Sequence, residues 1–169
     1  YENDIIIIDM GIQFPEEDMP GIDFIIPNIE YLKTKKKNIR GVVITHGHLD
    51  HIGAIPYLIP ELGNPVIYSA PLTLGLIKKR HEEFKDLPAL NLQAVTPDDT
   101  ITLGTFKVSF FAVSHNIPAS MGIIVDTPLG KVVHSGDFKL DFDGPVRDMP
   151  EVSKIAKLGE ENVLALMSD

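Results

Sequence analysis

An α/β fold is predicted by three features of the chain. Short β-branched runs such as Ile5-Ile6-Ile7-Ile8 are too brief for helices and apolar at consecutive positions, as strands buried on both faces require. Other stretches carry apolar residues at helical spacing, Ile52, Ile55, Leu58, Ile59 and Leu62 being the clearest. Finally, strand after strand ends on His or Asp, and in open α/β sheets ligands bind beyond the carboxyl ends of the strands.

Ile5 to Ile8 is the first strand and stops at Asp9. Gly11 to Pro27, rich in Pro, Gly and acid, reads as a long loop, and Asn28 to Leu32 as a short helical segment. Gly41 to Thr45 is a second strand that runs directly into His46-Gly47-His48-Leu49-Asp50-His51. The helix from Ile52 is predicted to stop near Gly63-Asn64-Pro65, with Pro56 near its first turn, where a missing amide hydrogen is tolerated. Val66 to Tyr68 is a short strand, and Pro71 to Phe84 reads as a helix with Leu72, Leu76 and Lys79 on shared faces. Leu92 to Val95, Thr100 to Leu103 and Lys107 to Val113 are strands, the last leading to Ser114-His115. Met121 to Asp126 and Lys131 to Ser135 flank Thr127-Pro128-Leu129-Gly130, a hairpin by composition, and the second arm leads to Gly136-Asp137. Val152 to Leu158 reads as a helix, and Val163 to Met167 as a strand ahead of Ser168-Asp169.

At 169 residues and 44% hydrophobic composition the sequence supports one domain with a real core. There is no cysteine, so the chemistry must come from His, Asp, Glu and hydroxyls, a composition compatible with a reducing cytoplasm. The first residue is Tyr1 rather than Met, so the lack of a targeting segment excludes little. No apolar run approaches the roughly 20 residues of a membrane helix. The formal charge of −9 argues against polyanion binding through a broad basic surface. Two bound divalent cations would still place about four positive charges at one spot, where local field outweighs net charge for a phosphodiester. Lys35-Lys36-Lys37 and Lys78-Lys79-Arg80 read as solvated faces.

His46 to His51 packs three imidazoles and a carboxylate into one hexapeptide. These donors suit zinc, manganese and iron, and a catalytic site uses few of them so that water keeps a position. His46 and His48 are two residues apart, so in an extended segment both rings project to one side. Asp50 and His51 fall where the chain turns into a helix and aim elsewhere, so one loop can serve two neighbouring ions. His-rich surface segments are the plainer explanation, but apolar runs flank this one. Asp9, the His46 cluster, His115, Asp137 and Asp169 all end apolar strands, and one shared cleft accounts for them. Singly, each is also an ordinary turn residue.

H-x-H-x-D-H after a hydrophobic strand, with an Asp ending an earlier strand and later strands ending in His and Asp, resembles the metallo-β-lactamase superfamily. Within it, Asp9-Met10-Gly11, Phe14-Pro15-Glu16, Gly21-Ile22-Asp23, the run Thr45 to Gly53, Ser114 to Ser120 and His134 to Lys139 resemble the ribonuclease J family, over essentially the whole chain. Asn116 and Ser135 stand where that family more often has Ser and Thr; neither is a ligand position.

The resemblance implies an αββα sandwich. Residues 1–169 would be the N-terminal portion of a metallo-β-lactamase domain, ending where a β-CASP domain is inserted, with Asp169 as the opening acid of the β-CASP motifs. It implies two divalent metal ions, zinc first and manganese as the alternative. His46, His48 and His115 would hold one and Asp50 and His51 the other, with Asp137 bridging both. Asp50 and Asp137 are the candidate catalytic residues. Asp9 would orient the histidine loop without binding metal. From their places in the chain, His134, at an odd offset from Asp137, reads as structural, and His81, between Arg80 and Glu82, as solvent-exposed. The implied activity is hydrolysis of single-stranded RNA in RNA processing and decay, 5′-to-3′ exonucleolytic with some endonuclease action. A cytoplasmic protein without membrane association, assembling with itself or a related subunit, is implied as well. A late His ligand would lie outside these residues, so by themselves they are expected to be weakly active or inactive. Two alternatives stay open: a small-molecule hydrolase, such as a thioesterase or lactonase, and a non-catalytic subunit of a nuclease complex.

Overall fold

The computed structural model describes residues 1–140 and 152–169. β1 (Ile5–Ile8) pairs in parallel with β2 (Ile39–Val43), β2 with β3 (Ile67–Ser69), and β3 with β4 (Leu92–Ala94), in the order β1-β2-β3-β4. Each parallel step needs a crossover, and right-handed crossovers that step one way all land on one face of the sheet. α1 (Glu30–Lys33), α2 (Leu49–Ile52), α3 (Ile55–Leu58) and α4 (Pro71–His81) lie in these connections. Ile52, Ile55, Leu58, Ile59, Leu62, Leu74 and Ile77 pack there against Val42, Ile44 and Ile67 of the sheet. Four-residue helices are far below the roughly 12–15 residues that stand alone in water, so tertiary contacts, this burial among them, maintain α2 and α3.

β5 (Thr100–Leu103), β6 (Phe106–Ala112), β7 (Met121–Thr127) and β8 (Gly130–His134) form an antiparallel meander. β9 (Val163–Met167) joins β8 in parallel, after α5 (Val152–Leu158). Alternation along β6 sends Val108 and Phe110 inward, where they meet Val43, Ala70 and Val95 from the first sheet together with Met121, Ile123 and Val125. Phe111 points outward and packs beneath Leu158 of α5. The layers therefore run helices, sheet, sheet, helix, the αββα sandwich that the motifs imply.

Several elements differ from the sequence reading. The expected helix from Ile52 to Leu62 is broken into α2, α3 and a 3-10 turn over Pro60–Leu62. Pro56 and Pro60 have no N–H for the preceding turn, so the helical ladder cannot run through either. α4 stops at His81 rather than Phe84, and its buried residues are Thr73, Leu74 and Ile77 while Leu72 is exposed, so the face expected from Leu72, Leu76 and Lys79 is rotated. His81 is half-buried rather than solvent-exposed: its Nε2 lies 2.9 Å from the Pro88 carbonyl, to which it donates.

Candidate metal centre

β1 ends on Asp9, held at φ +58°, a left-handed conformation that Asp tolerates better than most residues. Its own N–H still bonds the Val43 carbonyl at 3.0 Å, and its carboxylate reaches the end of β2. Asp9 Oδ1 accepts the Thr45 N–H at 2.8 Å. Asp9 Oδ2 lies 2.8 Å from the Thr45 hydroxyl and 2.7 Å from His51 Nδ1. The chain beyond Asp9 then straps α2 in place. Met10 N–H donates to the His51 carbonyl at 2.7 Å, Ile12 N–H to that of Leu49 at 3.2 Å, and Ala54 N–H back to Met10 at 3.0 Å. Only glycine permits this approach, because a Cβ on Gly11 would lie 1.5 Å from the Asp50 carbonyl oxygen.

Across the site, β6 leads to His115 and β8 to Asp137. The backbone turns at Gly136, at φ +60°, and delivers the Asp137 carboxylate between the histidines. His46 Nε2 is 3.0 Å from His48 Nδ1, which is 3.2 Å from His115 Nε2. Asp137 Oδ2 lies 3.8 Å from His46 Nε2 and 3.6 Å from His115 Nε2. Its other oxygen, Oδ1, lies 3.1 Å from His51 Nε2, which is 3.7 Å from Asp50 Oδ2. His46, His48, His115 and Asp137 thus form one donor group, and Asp50, His51 and Asp137 a second.

The donor set fits a divalent metal. Bonds of about 2.0–2.1 Å in a tetrahedron put neighbouring donors roughly 3.3 Å apart, close to the spacings of the first group. Three imidazole nitrogens facing one another also need a cation or shared protons between them, since one N–H cannot serve two lone pairs.

Burial, and then repulsion from the His51, His115 and His48 charges, pushes His46 down to about 3, so its ring stays neutral. His115 is lowered as well, chiefly by burial, against the pull of Asp137 and Asp169. His51 is also penalised by burial, but the Asp9 hydrogen bond and the charges of Asp9, Asp137 and Asp50 outweigh this and raise it.

The other singled-out residues fall around this centre. Asp169 donates its N–H to Ser135 Oγ at 3.2 Å, and its charge acts on His115, but it joins neither donor group. His134 Nδ1 accepts the Gly136 N–H at 3.0 Å, inside the turn that carries Asp137. Lys36, Lys37, Lys78 and Lys79 are exposed, and Lys35 sits over the Tyr31 ring at 4.1 Å. Sequence reading does not single out Thr45, which is buried at the centre of the site. The one available signal is its place, a hydroxyl residue between an apolar strand and the first His.

The sequence matches the Metallo-beta-lactamase superfamily over residues 1–153. It is 44% identical to Ribonuclease J of Thermus thermophilus, with 100% of this chain and 30% of that protein covered. Ribonuclease J 1 of Streptococcus pyogenes is 43% identical over the same shares, and Ribonuclease J2 of Bacillus subtilis 38%, covering 99% of this chain and 30% of its own. The chain thus spans about 30% of the length of these relatives. Among solved structures, unliganded yeast PDE1 superposes with a TM-score of 0.68 at 16% identity, covering 98% of this chain and 66% of that one. Zn(2+)-bound PqqB from Methylobacterium extorquens gives 0.59 at 15% identity, covering 78% and 46%. At such identities the likeness concerns the fold alone. Among the described residues no helix is long and apolar enough to cross a membrane. With its two-sheet sandwich, its clustered histidines and its match over most of its length, the chain belongs to the metallo-β-lactamase superfamily.

Proposed function

We propose that this chain forms the metal cradle of a two-metal ribonuclease of the ribonuclease J type, hydrolysing phosphodiesters of single-stranded RNA by 5′-to-3′ exonucleolytic and some endonucleolytic cleavage. The observation that carries the reading is the Asp137 carboxylate, which presents Oδ2 to His46 and His115 and Oδ1 to His51. Similarity to ribonucleases J over the whole of this chain, about 30% of their length, supports it. Because those relatives are over three times longer, at 30% coverage, the activity is proposed for a protein of their length.

In this reading His46, His48, His115 and Asp137 hold one ion, and Asp50, His51 and Asp137 the other. Zinc is the proposed metal, with manganese as the alternative, because imidazole and carboxylate donors suit both. When bound, a divalent pair lowers the pKa of water and offsets charge on the non-bridging phosphate oxygens. The protein's own work is placement. Asp137 ties the two groups through its two oxygens, and Asp9 holds the His51 ring so that Nε2 faces Asp137. Burial keeps His46 a neutral donor. Asp50, with a side chain 52% exposed, stands at the mouth of the second group, where substrate and water arrive. Asp169, beside Ser135, is proposed as the acid that opens the β-CASP motif series. The protein is proposed to act in the cytoplasm, as a homo-oligomer or with a related subunit.

Metal analysis combined with cleavage assays tests the proposal. In a protein of the relatives' length, cleavage of a labelled single-stranded RNA should depend on added zinc or manganese and stop on chelation. Hydrolysis of thioesters or lactones with no RNA cleavage would overturn it.

A further inference from the structure

Thr45 is the buried polar side chain at the centre of the site that the roles above leave unused. It is 1% exposed, and its backbone is committed on both sides. Its N–H donates to Asp9 Oδ1 at 2.8 Å, and its carbonyl accepts the Met121 N–H at 3.1 Å, joining the two sheets at this point. Its hydroxyl lies 2.8 Å from Asp9 Oδ2 and 3.0 Å from His46 Nδ1.

A hydroxyl has one proton to donate, and an ionised carboxylate can only accept. The Thr45 proton therefore goes to Asp9, and the Thr45 oxygen is left to accept from His46 Nδ1–H. That places the lone pair of His46 on Nε2, facing His48 and Asp137. The same Asp9 oxygen accepts from His51 Nδ1–H at 2.7 Å, leaving His51 Nε2 turned toward Asp137 and Asp50. One chain of hydrogen bonds, His46 to Thr45 to Asp9 to His51, thus runs behind the donor atoms of both groups.

We propose that Thr45 is a positioning residue which, through Asp9, sets the ring orientation and tautomer of one histidine in each donor group at once. The two groups are thereby assembled as a unit before any ion arrives. The inference deepens the metal-centre reading and rests on it. Partners of this kind behind a ligand histidine are worth about 10- to 100-fold in metal affinity. The carbon part of Thr45 is in use as well. A Cβ on Gly136 would come within 3.1 Å of Thr45 Cβ, so the Thr45 stem abuts the turn that delivers Asp137. Thr45→Val keeps that shape and removes only the hydroxyl, whereas Thr45→Ser keeps the hydroxyl.

Long-range ¹H–¹⁵N NMR of the metal-free wild-type chain should show His46 as the Nδ1-protonated neutral ring; an Nε2-protonated ring would overturn the assignment. Zinc affinity, measured by competition with a chromophoric chelator, should fall about 10- to 100-fold in Thr45→Val and stay within about threefold of wild type in Thr45→Ser. Undiminished zinc binding by Thr45→Val would also overturn it. Should Thr45→Val fail to fold, the tautomer of the wild type and its retention in Thr45→Ser decide the question. A wild-type chain that binds no zinc, yet shows His46 protonated on Nδ1, would sink the metal-centre reading and leave the hydrogen-bond assignment standing.

Discussion

The two donor groups share Asp137 but are held in place by different means. In the first, His46, His115 and Asp137 follow strands of both sheets, and His46 is fully buried. These donors inherit the rigidity of the sandwich core. The second depends on α2, a four-residue helix whose Asp50 side chain is 52% exposed. Such a helix has little stability of its own, and backbone bonds from the loop after Asp9 hold it instead. Donors at strand ends need no strap, while donors on a single helical turn do. Four donors, mostly withdrawn from water, should also bind an ion more firmly than three with one in solvent, so the first group is expected to fill first.

The largest expected effect comes from removing what the groups share. Asp137→Ala takes one oxygen from each, and metal affinity at both should fall by more than the about 10- to 100-fold that a partner behind a ligand is worth. The metal-to-protein ratio after dialysis, with RNA cleavage in parallel, measures this; tight binding left intact at either group would break the shared-ligand picture. A smaller and selective effect is expected from Gly11→Ala. The added Cβ meets the Asp50 carbonyl and must push α2 aside. A stability loss of about 1–3 kcal/mol is typical of such overpacking. Weaker binding should be larger at the second group, as read by stepwise metal titration, and equal weakening of both would show that the strap does not act on the second group in particular.

Acid gives the most gradual effect. His46 has a folded-state pKa near 3, below its ordinary 6.5, so its neutral ring stabilises the fold above about pH 6.5. That stability is lost as pH falls from there toward 3, by up to about 1.4 kcal/mol per pH unit for one proton. His51 has the opposite sign: its raised pKa contributes stability that is full below 6.5 and fades as pH rises through the folded value. Urea unfolding of the metal-free chain across pH should therefore show a steep acid limb that His46→Gln flattens. An unchanged acid limb in that variant would remove His46 burial as its cause.

Much of this was legible along the chain because the signals are local. The β-branched runs marked the strands, and the dense hexapeptide marked the donors at once. Helix ends were less legible. The apolar spacing from Ile52 to Leu62 is helical, yet Pro56 and Pro60 interrupt the ladder, and the spacing persists because both pieces still pack on one sheet face. The buried face of α4 departs from its apolar spacing for a related reason, since only the position of the sheet determines which side of a helix is covered. Thr45 escaped notice because a hydroxyl gains its meaning from what lies opposite it, here a carboxylate from a different strand.

By itself, then, the sequence determined the chemistry: which residues can donate to a metal, that no thiolate is among them, and that they follow strands. The resemblance implied the grouping of donors around Asp137 and the support from Asp9, but only the tertiary structure decided the distances at which they meet and that Thr45 stands behind them. The physical reason is distance. Donor type and spacing are properties of the local chain. Convergence to within 4.8 Å depends on two sheets packed face to face, and their packing is set by a core in which no ligand takes part.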